Sequence, residues 1–250
     1  MKLSVVILTL NEAERLPACL ESLASLGAAL EIVVLDSGSR DATVAIAEAA
    51  GARVVERGWP GFVAQKNAGL EEASGEWVLS LDADETLSPA LAAELVRFLA
   101  APPAGVVAAS MPRRNRYLGR WLQHGAAWPD RRVRLLRRGC GRWGGTDPHD
   151  VLIPEGPVHR LEAPLHHDSY ADLADHRDTV ARYAAVAAAA LHAQGRTAFP
   201  SLLFSPPLGF LRDYVVRLGF LDGLPGLHFA RLAAVYRWKK YVRLLELRRG

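Results

Sequence analysis

An apolar run closes on two aspartates one residue apart in Leu79-Ser80-Leu81-Asp82-Ala83-Asp84-Glu85, and no other stretch implies chemistry so directly. Positions two apart in a β-strand share a face. The spacing therefore predicts that Asp82 and Asp84 converge at a strand's C-terminal edge, where open α/β sheets bind their ligands. A few hard oxygen donors suit Mg²⁺ or Mn²⁺, which keep several waters and take further ligands from substrate phosphates. A divalent cation and a phosphorylated substrate are the expectation; an acidic turn after a buried strand is the chemically silent alternative. A calcium loop of the EF-hand kind is excluded because Leu87 stands where the turn glycine is required.

The elements that must position these carboxylates alternate. Ser4 to Leu8 is a continuous apolar run of the parallel-sheet kind, and Leu16, Leu20 and Leu23 then form a helical stripe within Glu12 to Leu26. Further strands are predicted at Ile32 to Leu35, Arg53 to Glu56 and Glu76 to Leu81. Helices are predicted after Asp41, from Phe62 to Ala73, and from Ser88-Pro89 to about Ala100, with Asp41 and Ser88 as caps. This pattern predicts a doubly wound, mostly parallel sheet with its site along the strand C-termini. Beyond Pro102-Pro103, a strand is expected at Val106 to Met111, then irregular structure with short strands to Arg142. A helix should follow from Asp172 to Gly195, and two more between Leu208 and Leu247, separated by Gly223 to Gly226.

Composition narrows the function classes. Lys and Arg exceed Asp and Glu by 30 − 27 = 3, which does not suggest nucleic-acid binding. Ten arginines nevertheless lie between Arg113 and Arg142 with Asp130 as the only acid there. Two distant cysteines, Cys19 and Cys140, argue for a reducing compartment and against a zinc site. The apolar run at Leu3 to Leu10 is too short for a signal segment, and charged residues interrupt the apolar C-terminal third. A cytoplasmic protein, in peripheral contact with a membrane at most, is expected.

No glycine-rich phosphate loop of the G-x-G-x-x-G or G-x-x-x-x-G-K-[ST] kind occurs, so a metal at the Asp pair would neutralise the phosphates. Thr9-Leu10-Asn11-Glu12 and Asp36-Ser37-Gly38-Ser39 end the first two strands on the same edge as that pair. Gln65, Lys66 and Asn67 are polar within an otherwise small and apolar helix. Asp82 to Thr86 also matches the Asp-x-Asp-x-Thr nucleophile strand of haloacid-dehalogenase-type phosphatases, in which Asp82 would attack phosphorus. A non-catalytic nucleotide- or membrane-binding scaffold is a further alternative.

Taken together, these segments resemble glycosyltransferase family 2: its T-x-N-E strand end, its D-x-G-S-x-D-x-T second strand end, its Q-K-N helix and its D-x-D strand occur in that order. In the second half, Trp128 to Arg138, His149-Asp150, His166 to Tyr170, Gly219 to Gly223 and the Lys240-Tyr241 region look like the subgroup that adds a sugar to the lipopolysaccharide inner core. One departure is His149-Asp150, where that subgroup has His-Glu, so the carboxylate is one methylene shorter.

The resemblance implies a GT-A-type fold with a helical C-terminal extension: 1–110 as donor half, 111–170 as acceptor and catalytic-base part, 171–250 as the extension. It implies an inverting transfer of a sugar, glucose in that subgroup, from a UDP-sugar to a lipid-linked or glycan acceptor. Asp150 would be the base. Asp84, with Asp82, would hold Mg²⁺ or Mn²⁺. Thr9, Asn11, Glu12, Asp36, Ser37, Gln65, Lys66, Asn67, Asp82 and Ala83 would bind the donor, and Arg131, Arg132 and His149 would face the acceptor or diphosphate. At the C-terminus, Val235, Trp238, Tyr241, Val242 and Leu245 form a helical stripe away from Arg237, Lys239, Lys240 and Arg243, a pattern that fits either packing on the domain with the charges solvated or attachment to an anionic inner leaflet.

Overall fold

Continuous β-branched and leucine-rich runs bury both faces of a strand, which requires neighbours on both sides. The structure, a computed structural model, describes residues 2–27 and 30–249. Its first elements are β1 (Leu3–Thr9), α1 (Leu16–Ser22), β2 (Leu30–Asp36), α2 (Thr43–Ala49), β3 (Arg53–Glu56), α3 (Phe62–Glu72), β4 (Trp77–Asp82), β5 (Glu85–Leu87) and α4 (Pro89–Ala100). Then come β6 (Ala108–Tyr117), β7 (Arg120–Trp121), β8 (Asp130–Arg137), β9 (Gly141–Thr146), β10 (His149–Pro154), β11 (Val158–Arg160) and β12 (Leu165–His167). Three helices finish the chain: α5 (Leu173–Ala193), α6 (Ser201–Leu211) and α7 (Gly223–Arg249). The chain divides into two compact units. Unit 1 is 1–113, 131–145 and 150–167; unit 2 is 114–130, 146–149 and 168–250.

In unit 1 the strand order β3-β2-β1-β4 is parallel, and β8 then joins β4 antiparallel, so the sheet is mixed. The register pairs Thr9 with Asp36 and Leu8 with Asp82. Three strand ends, and the polar residues on them, are thereby level on one edge. The core beneath is built from Val5, Ile7, Leu79, Leu81, Leu91 and Leu95, all essentially inaccessible. Ser88 caps α4 by accepting from the Leu91 amide at 3.1 Å, and Asp41 accepts from the Thr43 amide at 3.0 Å at the start of α2. On the other face α3 lies close on β1 because Gly69 has no side chain; a Cβ there would stand 2.5 Å from Val6 Cγ1.

One expectation is sharpened and one needs correction. In the arginine-rich segment β6 runs on to Tyr117 and β8 extends over eight residues, longer than the short strands expected there. The strand alternation hides there behind consecutive arginines. Gly223 to Gly226 do not separate two helices but open α7, a 27-residue helix. Ahead of it α6 ends in a π-helical turn, Arg212–Val216, and a 3-10 turn, Gly219–Asp222.

In unit 2, α7 packs along α5 and α6. Leu244 is fully buried, with Tyr241 and Leu245 packed on the cluster of Ala188 and Ala198. Of the apolar stripe on α7, Tyr241 and Leu245 thus pack within the helical unit, while Trp238 is exposed. A second cluster joins Tyr117, Leu122 and Ala127 to Tyr170 and Phe229. His176 lies within it, stacked on Tyr170 at 3.8 Å and hydrogen-bonded through Nδ1 to the Tyr117 hydroxyl at 2.8 Å. Burial holds its imidazole down to about 4, so it is neutral at pH 7. No helix among the described residues is long and apolar enough to cross a membrane.

Candidate active site

The edge aligned by the β1, β2 and β4 register gathers most of the residues singled out from the sequence, and all those described next belong to unit 1. At the end of β2 the buried Asp36 accepts from Thr9 Oγ1 at 2.9 Å and from the Gly38 and Ser39 amides at 2.9 and 2.7 Å. Burial raises its pKa, but these hydrogen bonds outweigh that and hold the carboxyl below its ordinary value. Asn11, at a left-handed φ of 56°, accepts from the Arg40 amide at 2.8 Å. Glu12 donates its amide to Thr43 Oγ1 at 2.8 Å, and burial pushes its carboxyl up despite Arg15 nearby. The two loops are thus knitted together before any ligand arrives.

Helix α3 supplies the next layer. Gln65 Nε2 donates to Ser37 Oγ at 3.2 Å and to the Arg57 carbonyl at 3.3 Å. Asn67 uses both ends of its amide on the Trp143 backbone: Nδ2 donates to the carbonyl at 3.0 Å and Oδ1 accepts from the amide at 2.9 Å. Asn67 therefore fixes β9 to α3. Between these residues the buried Lys66 places Nζ 3.0 Å from Asp82 Oδ1 and 2.8 Å from Asp150 Oδ2, with the Trp143 ring centroid 4.5 Å away. A cation over an indole and between two carboxylates is fixed on three sides.

The two carboxylates of the aspartate pair make different contacts. β4 ends at Asp82 and the chain turns through Ala83 and Asp84 into β5, so the same-face rule lapses between them. Asp82 faces Lys66 and Arg134, whose Nη2 is 2.8 Å from Asp82 Oδ2. Arg134 also pairs with the fully buried Glu85, which Arg113 approaches to 3.3 Å. Against the opposing effect of burial, the Lys66 and Arg134 cations hold the Asp82 carboxyl far below the usual range. Asp84 instead meets His167, with Oδ2 3.2 Å from Nε2. β12 delivers that histidine by pairing antiparallel with β5, Glu85 opposite His167.

Among the described residues no three His, Cys, Asp or Glu side chains form a complete metal site. Asp84 Oδ2 and His167 Nε2 face each other at 3.2 Å, so a cation bound between them would replace that contact with a carboxylate oxygen and an imidazole nitrogen as ligands. That is an acceptable partial donor set for Mn²⁺, and less so for Mg²⁺, with the other positions open to phosphate oxygens and water. Asp82 is committed to cationic side chains.

Arg131 Nη1 donates to the Ser110 and Leu161 carbonyls at 3.1 and 2.7 Å, so it fastens strands. Arg134 reaches both Asp82 and Glu85, and Arg132 shares its face of β8 by alternation. His149 belongs to unit 2, where its Nε2 is 2.6 Å from the Tyr236 hydroxyl. Glu85, Arg113, Arg134, Trp143 and His167 were given no site role from the sequence. Glu85 and His167 lie within segments quoted for other reasons, Arg113 and Arg134 within the arginine-rich segment, and the strand pattern of β8 would have isolated Arg134.

Comparison with known proteins agrees with this geometry. The family described as Glycosyl transferase family 2 matches residues 4–152. The chain is 33 % identical over 248 residues to the lipopolysaccharide core biosynthesis glycosyltransferase LpsC of Rhizobium meliloti, covering 94 % of this chain and 89 % of that protein. The crystal structure of S. aureus TarS 1–349 in complex with UDP-GlcNAc superposes with a TM-score of 0.52 at 16 % identity, covering 100 % of this chain and 92 % of that one. Mycobacterium tuberculosis glucosyl-3-phosphoglycerate synthase, in complex with Mg²⁺ and UDP, gives 0.50 at 22 % identity over 78 % and 80 %. At these identities the two structures speak for the fold, which is of the GT-A kind. The family match and the full-length relative exclude a dehalogenase-type phosphatase and a mere scaffold: this chain is a glycosyltransferase, and it belongs to glycosyltransferase family 2.

Proposed function

We propose that this enzyme transfers a hexose, glucose in the first instance, from a UDP-sugar to a lipopolysaccharide-core or related cell-envelope glycan acceptor, with inversion at the anomeric carbon. The likeness to LpsC supports the acceptor class, and the UDP complexes of the fold neighbours support the donor. The observation that carries the reading is the Lys66 bridge, because one buried ammonium spans Asp82 at the donor-phosphate end and Asp150 at the acceptor end. Residues 1–110 supply the donor half and 111–170 the acceptor part.

Asp150 takes the proton of the acceptor hydroxyl as its oxygen bonds to the anomeric carbon from the face opposite the diphosphate. The bond from that carbon to the diphosphate oxygen breaks and UDP leaves. Lys66 neutralises Asp82 and Asp150 before the donor binds, and turns toward the diphosphate afterwards, which releases Asp150 to act as base. Asp84, with His167 beside it, would hold Mn²⁺ or Mg²⁺, which would supply positive charge against the departing diphosphate. Asp36 and Thr9 bind the nucleoside, with Ser37 and Gln65 beside them. The work takes place at the cytoplasmic face of the inner membrane, in peripheral contact with it.

The test is titration calorimetry of UDP with and without Mn²⁺, followed by turnover with UDP-glucose and a deacylated, water-soluble core acceptor. Metal-dependent UDP binding that Asp84→Ala removes, and a kcat lowered about 10²- to 10⁴-fold by Asp150→Asn with UDP binding retained, are the expected results. Turnover undiminished in Asp150→Asn would remove the base assignment, and absence of UDP binding would remove the donor.

A further inference from the structure

Unit 2 turns a run of large apolar side chains outward where a soluble helix turns polar ones. Phe204, Leu208, Leu211 and Val215 recur at intervals of three and four along α6 and its π-helical continuation, so they share one face. Each is roughly half exposed, and Val216 and Leu224 beside them are 70 % and 69 % exposed. Monomeric soluble proteins rarely leave such a contiguous surface to water without a partner. α7 packs against α5 and α6 through other residues, so it does not cover this face.

The charge around the stripe identifies the partner. Asp213 and Asp222 are the only acids between residues 199 and 245, against seven Lys and Arg. Asp213 is fully buried and accepts from Arg212 Nε at 2.8 Å and Arg237 Nη2 at 2.9 Å. Arg237 reaches it past Gly209, where a Cβ would lie 2.6 Å from the guanidinium carbon. Asp222 accepts from the Gln123 and His124 amides at 3.1 and 2.9 Å. Asp213 is thus neutralised by arginines and Asp222 is turned onto backbone amides, while Arg212 and Arg217 are each half exposed beside the stripe. A surface of exposed leucine, valine and phenylalanine with cationic neighbours and no outward carboxylate complements an anionic lipid bilayer.

We propose that α6 and the π and 3-10 turns that follow form an interfacial face that inserts into the headgroup region of an anionic bilayer, lying on the membrane without crossing it. The proposal deepens the membrane contact put forward above, and assigns it to α6 in place of the stripe on α7.

The test is co-sedimentation of the full chain with vesicles of phosphatidylcholine, and of phosphatidylcholine with phosphatidylglycerol in equal parts, at low and high salt. Retention should be about tenfold stronger on the anionic vesicles and weakened by salt. Leu208→Glu and Val216→Glu should each lower it about tenfold, while Val96→Glu, at an exposed position of α4, leaves it unchanged. Circular dichroism and UDP titration of the variants check that they are folded. No retention on anionic vesicles, or retention indifferent to both substitutions, overturns the proposal. So does self-association in solution that the same substitutions abolish, since a second copy would then cover the face. UDP binding is read without vesicles, so a failure of the transferase reading would appear there alone.

Discussion

Unit 1 and unit 2 use charge and apolar surface in opposite ways. Unit 1 draws Lys66, Asp82, Glu85 and Arg134 inward to the end of its sheet and covers most of its leucines and valines. Unit 2 buries few charges, with Asp213 neutralised inside, and leaves Leu208, Val216 and Leu224 in solvent. Buried ion pairs add little net stability over an apolar core and are costly to break, so the network in unit 1 is the signature of a site held ready for a charged ligand. Exposed leucines add nothing to stability in water, so the face on unit 2 is the signature of a surface meant to leave water.

That contrast can be broken most forcefully at Arg134. Arg134→Met leaves Glu85 without its main partner, and unit 1 should lose about 3–5 kcal/mol in urea denaturation; a loss below about 1 kcal/mol would mean that the network is less dry than its burial indicates. The pH dependence separates the units next. His176 is held to about 4 in the folded state against an ordinary 6.5, so the unfolded chain binds the extra proton first. Unit 2 should therefore lose about 3 kcal/mol as pH falls from about 6.5 to 4. Asp36 and Asp82 are shifted below the ordinary aspartate value of 3.8, so their contribution to unit 1 is present above that value and is lost only below it. Hydrogen exchange across a pH series should show unit 2 loosening first, and His176→Gln should remove that step.

A smaller effect is common to both units. Asp172 accepts from the Ala174 and Asp175 amides at 2.7 and 2.8 Å at the start of α5, as Ser88 caps α4. Ser88→Ala and Asp172→Ala should each cost about 1 kcal/mol in thermal or chemical unfolding. The least effect on stability belongs to Leu208→Asp. It should change unfolding by no more than about 0.5 kcal/mol, because the side chain is already in water; a cost of about 2 kcal/mol or more would show that the stripe is packed in solution.

Much of unit 1 was legible in the chain because its cues are local. Apolar runs of strand length, Ser88-Pro89 and the polar punctuation after β1 and β2 each act within a few residues, and β3 was located to the residue. The different partners of Asp82 and Asp84 were not legible, because β4 ends at Asp82 and a turn follows at Ala83-Asp84, and a period of two says nothing about where a strand stops. In unit 2 the stripe on α7 was read correctly as apolar, but periodicity cannot distinguish a face that meets α5 from one that meets lipid.

The sequence by itself determined the order of the elements, the identities of Thr9, Asp36, Lys66, Asp82, Asp84 and Asp150, and the family to which they point. Tertiary structure alone decided their partners. Arg134 reaches Asp82 across 52 residues through the β8 pairing with β4, His167 reaches Asp84 through the β12 pairing with β5, and Lys66 meets Asp150 across 84 residues. Such meetings depend on strand register between distant segments. Register is fixed by the collective burial of a whole sheet, which no local spacing along the chain encodes.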